Sequence, residues 1–166
     1  NDVDFKFKTG QVIRYVFKLR VTSFYSLEDM ANDINNLTIK LNISNYHVIG
    51  VSMGGMIAQL LAIKHTNKVK SLISIMSTSG DPNLPKQRWK IVKFILSGSK
   101  QKNISNASSF YINLWRLIGS PAYPRTYQEI SLFVDRILYR GVSKSGTIRQ
   151  MLAIMSSYER SACLKK

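Results

Sequence analysis

His47-Val48-Ile49-Gly50-Val51-Ser52-Met53-Gly54-Gly55-Met56-Ile57-Ala58-Gln59-Leu60-Leu61 is the stretch whose reading decides the fold. His47 to Val51 is short, apolar and β-branched, the composition of a buried strand. Met53 to Ile63 carries no β-branched run and is rich in Ala, Leu and Met, which favour helix. Between them Gly50-x-Ser52-x-Gly54 sets a serine between glycines at a strand-to-helix switch. A nucleophilic serine needs a tight, strained turn that projects its hydroxyl from the end of a sheet. The positions two before and two after it must be small, because strand and helix approach each other there. The same turn aims the backbone N–H of Met53 at the place where an oxyanion forms, beside the positive end of the helix dipole. The stretch reads as a nucleophile elbow, with Ser52 as nucleophile and Met53 N–H as oxyanion donor.

Two other readings compete. One is a purely structural strand-to-helix turn. The other is a transmembrane helix over Tyr46 to Ile63, which is long enough and contains Gly50-x-x-x-Gly54. His47, Ser52, the Gly54-Gly55 pair and Gln59 argue against a membrane span.

Outward from the elbow, Ser26 predicts a helix N-cap, with Asp29 closing a capping box and the helix running to Leu41. Its apolar positions Leu27, Met30, Ile34, Leu37 and Leu41 predict one buried face. Val69 to Met76, apolar at Val69, Leu72, Ile73, Ile75 and Met76, predicts a central parallel strand. Gln11 to Phe17 predicts an earlier strand. Strand, helix, strand, helix, strand makes two βαβ units and an α/β fold with a parallel sheet of three or four strands. Asp81-Pro82-Asn83-Leu84-Pro85 breaks this pattern, and four apolar stripes follow at helical spacing. They begin at Trp89, Phe110, Ile130 and Ile148, with Ser97 to Ser109 expected as a loop.

Several blocks together resemble a known family. Tyr25 to Ile34, the elbow, and Ser71-Leu72-Ile73-Ser74-Ile75-Met76-Ser77-Thr78-Ser79-Gly80-Asp81-Pro82 are similar to consecutive blocks of α/β-hydrolase-fold serine esterases. The likeness is strongest to the bacterial branch that includes aclacinomycin-methylesterase-like enzymes. Gly119 to Pro124 and Arg140 to Gln150 resemble that branch's helical cap. The likeness covers most of residues 22–164, with the motifs in family order. It implies a partial α/β-hydrolase core over residues 1–81, a helical cap region over 82–166, and hydrolysis of a small-molecule ester. The family's Asp-x-Arg-Gly-type loop is not matched after Ile13-Arg14, and its His-Gly oxyanion loop has no counterpart in residues 1–10.

A serine of this kind needs a neutral histidine to take its proton and an acid to orient that histidine. In this fold the chain order is Ser, acid, His. The 166 residues hold two histidines. His47 precedes Ser52, and His65 lies 13 residues along the helix, roughly 20 Å away at ~1.5 Å per residue. Asp81 sits at the correct edge of the sheet and is the one plausible triad acid, although a turn or N-cap role before Pro82 is the favoured reading. The family's acid and histidine follow the cap, so the chain is expected to be truncated at both ends and to show little turnover of its own.

Composition narrows the remaining choices. An apolar share of 45% is ordinary for a globular chain. One cysteine, Cys163, forbids an internal disulfide and, with no signal peptide evident, points to a cytoplasmic address. Two histidines and one cysteine, widely spaced, offer no metal site, and no cofactor is expected. The net charge of +15 could attract nucleic acid or an anionic membrane, but no nucleic-acid module accompanies it. Three functions are therefore distinguishable: a serine esterase, one half of a hydrolase completed by a complementing chain, and a basic binding protein on a hydrolase scaffold.

Overall fold

A computed structural model describes residues 21–84, 89–98, 104–141 and 143–165, together with Arg14. In chain order its elements are α1 (Leu27–Lys40), β1 (Tyr46–Val51), α2 (Met53–Lys64), β2 (Val69–Ile75), α3 (Trp89–Gly98), α4 (Ile104–Ile118), α5 (Tyr127–Tyr139), α6 (Lys144–Met155) and α7 (Ser161–Leu164). They fall into two compact units. Asn1–Pro85 with Arg149–Lys166 forms the first, and Lys86–Ile148 the second.

The first unit is built on a parallel pair. β1 and β2 run side by side, with Val48 opposite Leu72, Ile49 opposite Ile73, Gly50 opposite Ser74 and Val51 opposite Ile75. Parallel strands need a crossover of a dozen or more residues, which α2 supplies. Side chains alternate between the two faces of the pair. On one face Val48 packs against the core of Leu27, Ala31, Met56, Ile57, Leu60, Leu61 and Ala153. On the other face Ile49, Val51, Ile73 and Ile75 remain exposed. α2 is apolar nearly all round and is buried from Gly55 to Leu61, as a helix held between a sheet and other helices must be.

Three expectations need correction. The sheet has two strands among the described residues rather than three or four, so β2 is an edge strand there and not a central one. Its apolar residues Leu72, Ile73 and Ile75 fall on both faces, and among the described residues Ile73 and Ile75 stay exposed. Of Gln11 to Phe17 only Arg14 is described, and it is helical; the rest of that expected strand lies outside the described residues. β propensity is a preference for packing in a sheet and does not act alone. The loop expected from Ser97 to Ser109 is helical at both ends, since α3 continues to Gly98 and α4 begins at Ile104. Serine and asparagine only mildly disfavour helix, and the amphipathic face that follows them extends the element backwards.

In α1 the capping box forms as expected. The Asp29 N–H donates to Ser26 Oγ at 3.2 Å, and the Ser26 N–H donates to Asp29 Oδ2 at 2.8 Å. The buried face differs from the expected one: Leu27, Ala31 and Thr38 are covered, while Ile34, Leu37 and Leu41 are exposed. The backbone and hydroxyl hydrogen bonds from Ser26 hold the Asp29 carboxyl below the ordinary carboxylate range. A depressed carboxyl stabilises the fold above its unfolded pKa, and that contribution is lost as pH falls through the folded value. The α1 N-terminus is therefore expected to loosen on acidification below the ordinary carboxylate range. Ser26→Ala should cost about 1 kcal/mol in urea unfolding at neutral pH, with a smaller difference from the parent chain in acid.

In the second unit, Ile112, Ile130 and Val134 form a core joined by Tyr111, Trp115 and Leu138. Trp115 meets Phe133 edge-on with ring centroids 4.9 Å apart, and Phe94 stacks on Phe110 at the same separation. A second capping box, Thr126 with Glu129, starts α5. No helix among the described residues is long and apolar enough to cross a membrane.

Candidate functional site

Ser52 stands at the junction of β1 and α2 with φ 55° and ψ −121°. For a residue with a Cβ this is a sparsely populated, strained conformation, kept only where the surroundings dictate it. Three contacts do so. The Ser52 N–H donates to Ile75 O at 2.9 Å, extending the β1–β2 ladder by one residue. The N–H groups of Gly55 and Met56 donate to Ser52 O, which closes the first turn of α2. Gly50 lets the new helix run back against the strand: a Cβ there would lie 2.2 Å from Gly54 O and 2.7 Å from Gly55 Cα.

This geometry leaves the Ser52 hydroxyl unused. A serine at a helix N-cap normally adopts an extended backbone and accepts from the N2 or N3 amide. Ser52 makes no such side-chain bond and is exposed. The first amides of α2, Met53 and Gly54 among them, have no acceptor within the helix, and they lie at its positive end. A hydroxyl and unpaired N–H donors therefore meet at one exposed turn.

The glycines divide their roles differently from the sequence pattern. Gly50 is required as expected. Gly54 is not, because a Cβ there would meet nothing within 4 Å. The second position that must be small is Gly55, whose Cβ would lie 2.6 Å from Ser77 Cβ and 2.9 Å from Ser74 Oγ.

Asp81 lies on the segment leaving β2, half-buried. Its Oδ1 accepts from the Asn83 N–H at 2.8 Å, and its carbonyl accepts from the Leu84 N–H at 3.2 Å. The carboxylate is organising its own turn before Pro82. His47 lies on the exposed face of β1 with Nδ1 2.7 Å from Ser71 Oγ. At about 3.3 Å per residue it is roughly 16 Å down the strand from Ser52. His65 is the C-cap of α2, at the opposite end of the helix from Ser52. Burial, then Lys68 and Lys64, push its imidazole below the ordinary range, and its Nε2 is buried without a partner among the described residues. Neither histidine is brought to Ser52.

Sequence reasoning missed Arg160 and Gln59. Arg160 is 1% exposed, and its Nε donates to Gln59 Oε1 at 3.0 Å. Its Nη1 donates to Tyr158 O at 2.7 Å and to Ser157 Oγ, and its Nη2 to Thr78 O at 3.0 Å. Gln59 is itself buried and donates through Nε2 to Ser74 Oγ at 3.0 Å. Nothing in the sequence separates Arg160 from the other 23 basic residues. Gln59 alone leaves a trace, as a polar residue inside an apolar helix. No three His, Cys, Asp or Glu side chains converge on a metal-sized site among the described residues.

Comparison with known proteins agrees with this architecture. The family model for the α/β hydrolase fold matches residues 16–110. A curated protein of Yersinia enterocolitica, described as the carbamate hydrolase RutD, is 39% identical over 57 residues, which is 34% of this chain and 20% of the relative. The crystal structure of a hydrolase from Pseudomonas aeruginosa superposes with a TM-score of 0.55 at 14% identity, over 86% of this chain and 51% of that one. The chain thus corresponds to about half of that solved structure and, by the RutD alignment, to a fifth of that relative. The strained serine between strand and helix, the parallel strands joined by α2 and the matched family model lead to one conclusion: the chain belongs to the α/β hydrolase fold family.

Proposed function

We propose that Ser52 is the nucleophile of a serine hydrolase that cleaves an ester or related acyl bond of a small molecule, with the Met53 N–H as one oxyanion donor. The observation that carries this reading is the Ser52 backbone, held at φ 55° with its hydroxyl free of any capping bond. A strained residue whose functional atom is left unsatisfied at a helix N-terminus is what acyl transfer requires. A carbamate, the bond named for the RutD relative, belongs to the same acyl class. The helical second unit, rich in aromatic side chains, corresponds in this reading to the family's cap, and its composition leans toward an apolar acyl or alkyl group.

The general base is the part these residues do not supply. Both histidines of the chain lie far from Ser52, and Asp81 spends its carboxylate on a turn. We assign base and acid to polypeptide beyond these 166 residues, either continuous with them or supplied as a complementing chain. The open face of Ile49, Val51, Ile73 and Ile75 favours this arrangement, because a parallel sheet is normally covered on both sides.

Fluorophosphonate labelling read by peptide mass spectrometry tests both statements. The 166-residue chain should turn over p-nitrophenyl esters no faster than its Ser52→Ala variant, since loss of the base alone costs several powers of ten. A longer polypeptide carrying the base should label at Ser52 and lose the label in Ser52→Ala. Labelling that persists in that variant would overturn the assignment of Ser52. Rapid labelling of the folded, partner-free 166-residue chain would overturn the assignment of the base elsewhere.

A further inference from the structure

Arg160 is the largest fully buried side chain among the described residues, and its hydrogen-bonding partners are all neutral. Glu159 acts on Arg160 only through its field, and desolvation outweighs it; burying a guanidinium with no carboxylate bonded to it is costly, and an apolar side chain of similar volume would fill the space more cheaply. What only arginine offers is a planar fork with five donors in fixed directions. Here the fork spans three segments that are distant in sequence. It reaches Gln59 on α2, Thr78 on the segment leaving β2, and Ser157 and Tyr158 just before α7.

The segment it holds is the one beside Ser52. Ile75 O accepts the Ser52 N–H, and residues 76–81 continue from that point. Met76 takes φ 51°, Ser77 lies against Gly55, and Thr78 O and Ser79 O are then caught by the Arg160 side chain and backbone N–H, the latter at 2.8 Å. Ser79 Oγ adds a 2.6 Å bond to Ser161 Oγ. Gly80, at φ 85°, packs so closely on Tyr158 and Glu159 that a Cβ would come within 3.3 Å of both. Through Gln59 the same guanidinium grips α2 two turns beyond Ser52, and Gln59 ties that point to Ser74 on β2. Both structures that flank the serine, its helix and the adjoining loop, are thus fixed to each other through one side chain.

We propose that Arg160 is a positioning residue of the Ser52 site, locking α2 to the loop after β2 so that the residue-52 side chain and the first amides of α2 keep their relative aim. The proposal rests on Ser52 being the reactive position. Its test uses a reporter that needs no histidine. In a Cys163→Ser background, Ser52→Cys places a thiol at the elbow, and the pH dependence of its alkylation by iodoacetamide reads its thiolate. A thiol at a helix N-terminus ionises below the free value of about 8.5. With Arg160 present the midpoint should lie below that value. Arg160→Met should raise it by about one pH unit, which slows alkylation at neutral pH roughly tenfold.

Arg160→Lys keeps the charge and loses the fork, and should fall nearer to Arg160→Met than to the parent. Ser157→Ala removes one acceptor, should fold under any circumstances in which the parent does, and should shift the midpoint slightly in the same direction. An Arg160→Met or Arg160→Lys protein that melts cooperatively and titrates like the parent would overturn the proposal. So would an unshifted Ser157→Ala if neither Arg160 variant folds. A parent midpoint near 8.5 would instead sink the reading of Ser52 as an activated position, a failure separable from that of Arg160.

Discussion

Gly50→Ala is expected to destabilise the first unit severely, whereas Gly54→Ala, at the other glycine of the same motif, is expected to be harmless to the fold. The Gly50 Cβ would stand 2.2 Å from Gly54 O, 2.5 Å from Gly54 C and 2.7 Å from Gly55 Cα. All three are backbone atoms of the first turn of α2, so relief requires moving the helix away from the strand. Overpacking a core usually costs about 1–3 kcal/mol, and that figure assumes side chains can adjust. Here they cannot, and the helix that would have to move carries Met56, Ile57, Leu60 and Leu61 of the core. A loss of more than about 3 kcal/mol is expected, against a total stability of about 5–15 kcal/mol for an ordinary domain. At Gly54 the added methyl meets nothing. Replacing glycine by alanine in a helix gains up to about 1 kcal/mol, so a neutral or slightly raised urea midpoint is expected. Gly55→Ala should fall between them, since its nearest neighbours are the side chains of Ser77 and Ser74. Urea melts of the three variants check the order. Equal destabilisation at Gly50 and Gly54 would overturn the view that only the first of the two is required by the approach of helix and strand.

The contrast explains what the sequence could and could not disclose. The strand, the turn and the helix around Ser52 are local features: a β-branched run, a glycine, a serine, then helix formers. Each residue's preference agrees with its neighbour's, and the Ser26–Asp29 capping box is legible for the same reason. The role of Gly55 is not local, because it depends on Ser77 arriving from β2. Arg160 is hidden for the same reason, since its partner Gln59 lies 101 residues away in sequence. The buried face of α1 was legible only in part. The period of its leucines is right for a helix, but burial is decided by what packs against it, and α2 covers the side of Leu27 and Ala31 while Leu37 and Leu41 stay exposed. The number of strands misled for a related reason. An apolar run reports that a strand has two faces to bury, not that both are buried by the residues at hand.

That unburied face gives the second large effect. Ile49 and Ile73 are direct cross-strand neighbours and are 64% and 48% exposed, with Val51 and Ile75 paired beside them. A contiguous apolar patch on a sheet that has two strands and unpaired outer edges among the described residues is the surface through which such chains associate. The 166-residue chain on its own is therefore expected to self-associate at micromolar concentration in sedimentation or size-exclusion experiments. Ile49→Lys combined with Ile73→Glu should make it monomeric. Opposite charges directly across a strand pair attract, which offsets part of the lost β propensity, so the unfolding free energy from urea melts should change by no more than about 1 kcal/mol. The same double variant separates two origins of association. If the contacts run through the open face, monomer forms while the fold is kept. If they run through the exposed Ile34, Leu37 and Leu41 of α1, association persists unchanged. The variant also bears on catalysis. Should the base arrive on polypeptide packed over this face, a longer form carrying Ile49→Lys and Ile73→Glu would keep Ser52 in its strained turn yet fail to label with a fluorophosphonate, because the charged pair obstructs assembly of the site and leaves the nucleophile untouched.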